Sequence, residues 1–296
     1  MRPGRAGTLL GVVGMLLGAA AGAGPVSAQE TGRLVHWPAV RSRHLDLPRN
    51  IDIWLPPGYD SSTSRYPVLY MMDGQNLFDS TTAFGGVEWG VDETLSDLIG
   101  SGGVPPMIVV GVWNSANRFQ EYSPWQGAPA YARFLIEEVL PRVNREFRTR
   151  TGPQNTMVMG SSMGGLVSFY LVSHHPKVFG ACGCLSTHFV WSEAWQRAMT
   201  SPDPLAAPAD STPYILKDIA AGRKLPRHTR YWFDYGTVGL DSLYAPPHRA
   251  VREWMLGQGL VEGRDFEMRV YPGASHNEAP WRARLADPLF FLFGRR

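Results

Sequence analysis

The chain of 296 residues has two cysteines and three lysines, Lys177, Lys217 and Lys224. Two thiols exclude a disulfide framework and a four-thiolate zinc site. Cys182 and Cys184 lie two apart on an expected strand, so both face one side of a sheet; a bridge closing so small a ring is strained, and two buried thiols are expected. Net charge is also scarce, with 28 basic against 26 acidic side chains. Without Arg2 and Arg5, which fall in an expected leader, the balance is 26 to 26, so nothing draws the chain to nucleic acid. The 32 glycines and 24 prolines are too few for a collagen-like or low-complexity chain, and no internal repeat is visible. No metal-ligand spacing occurs, and beyond residue 28 no apolar run approaches the roughly 20 residues that span a bilayer. What remains is a globular chain, 44% hydrophobic, long enough for one sizeable core.

The amino terminus carries the marks of a targeting segment. Arg2 and Arg5 precede an uncharged Leu, Val, Gly and Ala-rich run over residues 8–23, and Val26-Ser27-Ala28 places small residues where a signal peptidase reads. A signal peptide over residues 1–28 is therefore expected, with residues 29–296 forming one domain. The product is expected to be secreted or periplasmic, with no membrane attachment after cleavage.

Past Gln29, short apolar runs alternate with amphipathic helical stretches. That is the pattern of an α/β fold with a mostly parallel central sheet and helices on both faces. Residues 49–55 alternate and then stop at Pro56-Pro57-Gly58, as an early antiparallel strand does. Residues 67–72, 107–112 and 156–159 are almost wholly apolar and should form the sheet's covered centre. Further strands are expected over 178–185, 230–235 and 266–271, and a closing helix over 278–293. Tyr131, Phe134, Leu135, Val139, Val143 and Phe147 recur at helical spacing, with Pro141 predicting a kink or break inside that helix. The Pro-rich stretch 201–226 interrupts the rhythm and is expected to run over the sheet's edge, where it could roof a cleft.

The most informative residues are Gly160-Ser161-Ser162-Met163-Gly164, a G-x-S-x-G sequence between an apolar strand and a helical stretch. A serine on so sharp a strand-to-helix turn stands clear of the sheet, and small residues two positions either side remove colliding side chains. Ser162 is the candidate nucleophile. Its hydroxyl needs a base, and the partners should follow in the order acid, then histidine, at the carboxyl ends of later strands. His276 alone follows a late strand directly, and is the expected base. His36, His44, His174, His175, His228 and His248 read as solvated or capping groups. His188, after the strand at 178–185, could face the cleft and touch substrate. For the acid, Asp241 lies beyond a Gly-rich turn from which it could reach His276, while Asp234 is still within the strand; Asp241 is favoured and Asp234 is the alternative. An oxyanion hole needs two backbone donors, assigned to the amides of Met163 and of Gln75 in the loop after the third strand.

Taken together, residues 67–78, 160–165, 233–237 with Asp241, and 273–276 with Trp281 resemble the esterase family of α/β-hydrolases. Enterochelin-type siderophore esterases, feruloyl and acetyl-xylan esterases, S-formylglutathione hydrolase and mycolyltransferases belong to it. The resemblance runs from about Arg49 to the carboxyl terminus. It implies an α/β-hydrolase fold without a canopy and supports Gln75 as a donor. The additional amino-terminal domain of the cytoplasmic enterochelin esterases is not expected in the short segment between Ala28 and Arg49.

Weaker signals remain. Trp89, Trp113, Trp125, Trp191 and Trp195 lie in segments that could line a cleft, though tryptophans more often pack. Arg118, with Glu121 and Tyr122, could meet an anionic substrate or brace its own loop. Arg118, His188 and Trp191 are the candidate substrate contacts. The expected function is hydrolysis of a small-molecule or oligosaccharide carboxylic ester through an acyl-enzyme, with no cofactor. An acyltransferase on the same fold and a non-catalytic binding protein are the alternatives.

Overall fold

A computed structural model describes Met1 and residues 32–190, 215–217, 224–226 and 228–294. The expected leader beyond Met1, Trp191, Trp195 and most of the 201–226 stretch lie outside the described residues. Among the described residues, no helix is long and apolar enough to cross a membrane.

Among the described residues, eight strands build one sheet: β1 (Arg33–Val40), β2 (Arg49–Leu55), β3 (Val68–Met72), β4 (Ile108–Val112), β5 (Thr156–Ser161), β6 (Ala181–Leu185), β7 (Arg230–Gly236) and β8 (Phe266–Tyr271). Their spatial order is β1-β2-β4-β3-β5-β6-β7-β8. β1 and β2 pair antiparallel, as do β2 and β4, and every other pairing is parallel. Among the described residues, the helices longer than about one turn are α1 (Val91–Gly100), α2 (segments Ala128–Arg133, Phe134–Val139 and Leu140–Glu146), α3 (Met163–His174), α4 (Ala245–Gly257), α5 (Glu278–Arg284) and α6 (Ala286–Phe293).

Successive side chains of a strand leave opposite faces, and the packing follows that alternation. Val68, Tyr70 and Met72 of β3, with Val158 of β5 and Tyr231 and Phe233 of β7, pack under α2, α3 and α4. Leu69 and Met71, with Met157, Met159 and Trp232, pack under α1, α5 and α6. A strand covered on both faces has no polar side to show, which is why β3, β4 and β5 read as continuous apolar runs. Cys182 and Cys184 share the first of these faces as free, buried thiols. This is an α/β-hydrolase fold.

Three local readings change. Of the kink or break expected at Pro141, the break does not occur: a π-helical turn, Phe134–Val139, precedes the proline and helical backbone continues to Glu146. Pro141 offers no N–H to the carbonyl four residues back, and the wider turn before it accommodates the ring. The closing helix is two helices, with the junction at Leu285. β1 went unread: Pro38 interrupts it, and its mostly exposed edge position leaves little alternation in the sequence.

Strand order reverses beside β3, with β4 on one side and β5 on the other. In open α/β sheets the crevice at the carboxyl ends of strands flanking such a reversal is where ligands bind. The loop carrying Gln75 and the turn carrying Ser162 leave β3 and β5 at that point.

Candidate active site

Ser162 sits between β5 and α3 at φ 55° and ψ −121°, a region that non-glycine residues occupy only when the surroundings hold them there. The glycines of the motif explain how. A Cβ on Gly160 would stand 2.7 Å from the Gly164 carbonyl carbon, and one on Gly164 would stand 3.1 Å from both Met72 Cβ and an Asp73 carboxylate oxygen. The backbone of Ser162 is tied to its neighbours: its N–H donates to the Leu185 carbonyl at 2.8 Å, and its carbonyl accepts from Leu166 and His188. Met163 opens α3, so its amide is one of the first-turn donors with no intrahelical acceptor.

On the other side of the reversal, Asp73 adopts the left-handed conformation and opens a 3₁₀ turn, Gly74–Asn76. Gly74 packs so closely on the backbone of Gly111 and Val112 that no side chain fits. That contact brings Gln75 to the cleft. Asp73 receives Arg118 through both Nε and Nη2 at 2.7 Å, and Asn114 Nδ2 at 2.7 Å. Burial works to lower the Arg118 guanidinium, but the Asp73 carboxylate more than reverses this, so Arg118 stays charged. Arg118 thus both braces its loop and lines the cleft. Glu121 takes no part, being paired instead with buried Arg49.

His276 and Asp241 arrive from the turns after β8 and β7. Two backbone N–H groups of the second turn, Thr237 and Val238, donate to the Ala274 carbonyl of the first at 2.9 and 3.0 Å, and Gly236 leaves the space for Ala274 to approach. The result is a 2.6 Å hydrogen bond between His276 Nδ1 and Asp241 Oδ1, with the Asp241 side chain fully buried. The His276 ring is held edge-on by Tyr244 at 5.4 Å and Trp281 at 5.1 Å between centroids. Asp241 Oδ2 accepts from the Gly236 amide at 2.7 Å and the Ser186 hydroxyl at 2.6 Å. Burial alone would push this carboxyl up; the hydrogen bonds from His276, Ser186 and Gly236 bring it below the ordinary value. Asp234 goes the other way, raised by burial that Arg284, Trp232 and the Ser186 amide only partly offset.

Ser162, His276, Gln75 and Arg118 line one cleft of about 380 Å³ with Asn76, Asn114, Glu278 and Trp281, a volume within the ordinary range for small-molecule sites. Burial, with the nearby Asp73 charge, raises the Glu278 carboxyl. Phe84 stands at the cleft wall, 75% exposed.

The structure corrects the readings of His188 and His248, and places the alternative acid and two of the tryptophans away from the cleft. Asp234 does not approach His276; it accepts Arg284 Nη2, Trp232 Nε1 and the Ser186 amide in the interior. His188 is buried behind Ser162 rather than facing the cleft, with Nδ1 2.7 Å from the Tyr244 hydroxyl. Burial, reinforced by His276 and Arg118, lowers it to about 3, so it is neutral at ordinary pH. His248 is not solvated: it lies in the interior with Nδ1 on the Tyr244 carbonyl, lowered by burial to about 4. Trp89 packs in the core against Trp281, and Trp113 is hydrogen-bonded to Asp52, so neither lines the cleft. Two participants went unread in the sequence. Tyr244 packs edge-on against the His276 ring, and Ser186 bonds Asp241. Neither belongs to a motif; their only signal is position, after the ends of β7 and β6.

The arrangement defines a hydrolase-fold protein with a strained, partly exposed serine and a hydrogen-bonded Asp–His pair opening on one cleft. The Putative esterase family model matches residues 42–292, and the chain belongs to that family. Among curated relatives, it is 29% identical over 262 residues to the iron(III) enterobactin esterase of Dickeya dadantii, covering 85% of this chain and 53% of that protein. Over 151 residues it is 29% identical to the endo-1,4-beta-xylanase/feruloyl esterase of Xylanibacter ruminicola, covering 46% of this chain and 19% of that one. The chain therefore spans between a fifth and about half the length of these two relatives. In fold it is similar to a ferulic acid esterase, at TM-score 0.62 and 20% identity, covering 88% of this chain and 98% of that one. It is similar also to the enterobactin esterase of Shigella flexneri solved in the presence of enterobactin, at TM-score 0.67 and 18% identity, covering 88% and 58%.

Proposed function

We propose that the chain is a secreted or periplasmic serine esterase that hydrolyses carboxylic esters through an acyl-enzyme. The observation that carries this is the 2.6 Å bond from buried Asp241 to His276 Nδ1, on the wall of the cleft that Ser162 enters in a strained conformation. With Nδ1–H committed to the carboxylate, Nε2 is the basic nitrogen of the neutral ring. His276 Nε2 takes the Ser162 proton as Oγ bonds to the ester carbonyl carbon, and the amides of Met163 and Gln75 receive the developing oxyanion. Collapse breaks the bond to the alcohol, which leaves with the proton held by His276. Water then attacks the acyl-enzyme, giving its proton to His276, and Ser162 is restored as the acid departs. Asp241 holds the tautomer and stabilises the imidazolium without itself taking the proton.

The acyl group is proposed to be of the siderophore-ester, feruloyl or acetyl-sugar type. The named activities of the two curated relatives support the siderophore-ester and feruloyl readings, and Arg118 with exposed Phe84 gives the cleft a cationic and an aromatic contact. The test is turnover of p-nitrophenyl acetate by Ser162→Ala with its fold checked by circular dichroism. Loss of turnover to background with unchanged melting is expected; retained turnover removes the nucleophile. Hydrolysis rather than acyl transfer predicts free acid as the main product when an alcohol is added.

A further inference from the structure

Ser186 closes β6 at φ 38°, a left-handed conformation that serine rarely adopts, and it is fully buried. Its hydroxyl has three neighbours: Arg284 Nη2 at 2.7 Å, Trp281 Nε1 at 2.9 Å and Asp241 Oδ2 at 2.6 Å. Serine oxygen offers two lone pairs and one proton. Guanidinium and indole N–H groups only donate, so they fill both lone pairs, and the single proton is left for the carboxylate. Trp281 and Arg284 stand three apart on α5 and so reach the same point from one helix face. Asp234 completes the arrangement. It accepts the same Arg284 Nη2 at 2.7 Å and the Ser186 backbone amide at 3.0 Å, which pins Ser186 from the other side.

We infer that Ser186, oriented by Arg284 and Trp281 and anchored by Asp234, is a positioning residue for the Asp241–His276 pair. This rests on the esterase reading above. Its hydroxyl fixes the plane of the Asp241 carboxylate and withdraws part of the charge that carboxylate presents to the imidazole. Asp234 balances the guanidinium, so that the Asp241 charge is left to His276. The acid that the sequence offered as the alternative thus supports the first one from one residue further back.

The other ionisable groups around the pair fix what a variant should show. Tyr244 packs on His276, His188 holds the Tyr244 hydroxyl, and Glu278 and Arg118 line the cleft nearby. None of them is bonded to Ser186, so removing its hydroxyl leaves their contacts in place. Without that donor, Asp241 presents more negative charge to the imidazolium, and the acid limb of kcat/KM moves to higher pH.

The experiment is the pH profile of kcat and KM for p-nitrophenyl acetate with Ser186→Gly, which suits the positive φ, and with Ser186→Ala, which keeps a side chain. The expected result in whichever variant folds is a rise of the acid limb by about 0.5 pH unit, a threefold change in the protonation equilibrium. With it, kcat should fall about tenfold and KM should stay within about twofold. An acid limb that stays in place overturns the inference, whatever happens to kcat, because a purely structural serine would lower activity without moving it. Ser162→Ala is run alongside. If that variant keeps turnover, the esterase reading falls and this inference with it; if it is inactive and the limb does not move, only the inference falls.

Discussion

Replacing Asp241 by asparagine should cost far more activity than its size suggests, and the structure gives the reason. The Gly236 amide and the Ser186 hydroxyl both donate to Oδ2, at 2.7 and 2.6 Å. An asparagine must keep its carbonyl oxygen there, since an NH₂ group facing the fixed Gly236 N–H would set donor against donor. Its NH₂ then faces His276 Nδ1. That nitrogen can only accept, so the ring proton moves to Nε2, the position from which the serine proton must be taken. The variant therefore loses both the stabilising charge and the working tautomer. In triads this combination costs on the order of 10⁴-fold, about 5.4 kcal/mol at 1.36 kcal/mol per tenfold. Asp234→Asn should behave differently. It leaves Arg284 buried without its counter-charge, which costs about 3–5 kcal/mol of stability, while the Asp241–His276 bond survives. Steady-state kcat on p-nitrophenyl acetate, with urea unfolding of the same preparations, separates the two. A larger loss of kcat in Asp234→Asn than in Asp241→Asn would refute the reasoning.

Further outcomes follow from the packing. Gly160→Ala places a methyl 2.7 Å from the Gly164 carbonyl carbon, so the start of α3 must shift; a loss of about 2–3 kcal/mol and a lower melting temperature are expected, and an unchanged melting temperature contradicts the close-approach account. His188 and His248, lowered by burial to about 3 and about 4, stay neutral in the folded protein over a range where the unfolded chain is protonated. Stability should be full above the ordinary histidine value near 6.5 and fall as pH drops from there toward 4, with a limiting slope of about 2.7 kcal/mol per pH unit for two protons. In urea unfolding at pH 7 and pH 5, His248→Gln should show a smaller acid loss than the parent; an equal loss removes His248 from this account. Arg49→Met leaves Glu121 buried and unpaired, so it should cost about 3–5 kcal/mol of stability while kcat changes little.

How much of this was visible in the sequence depended on whether a signal was local. Ser162 was legible because a strand, a sharp turn and a helix are contiguous, and the glycines that permit the turn stand beside it. His276 and the Gln75 loop were legible because each directly follows a strand that the sequence shows. The strands from β2 to β8 could be read because burial on both faces, or on one, imposes a composition. The edge strand β1, mostly exposed and interrupted by Pro38, carries no such imprint. The histidines show the limit most clearly. Nothing in the residues around His248 separates a solvated group from a buried one; its burial comes from Phe189, Tyr235 and Tyr244, up to 59 positions away. Ser186 and Arg284 are 98 residues apart, and their meeting at one oxygen depends on how α5 lies against the end of β6. The choice between Asp241 and Asp234 was open for the same reason, since one lies in β7 and the other just after it, and only the partners reaching them from elsewhere distinguish their settings.

The central claim is that Ser162, His276 and two backbone amides act on one carbonyl. Its most direct test is a crystal structure of the protein after reaction with a fluorophosphonate. The account predicts phosphorus bonded to Ser162 Oγ, one phosphoryl oxygen within about 3 Å of both the Met163 and Gln75 nitrogens, and His276 Nε2 beside the serine oxygen. An adduct on any other residue, or a phosphoryl oxygen turned away from both amides, would contradict it.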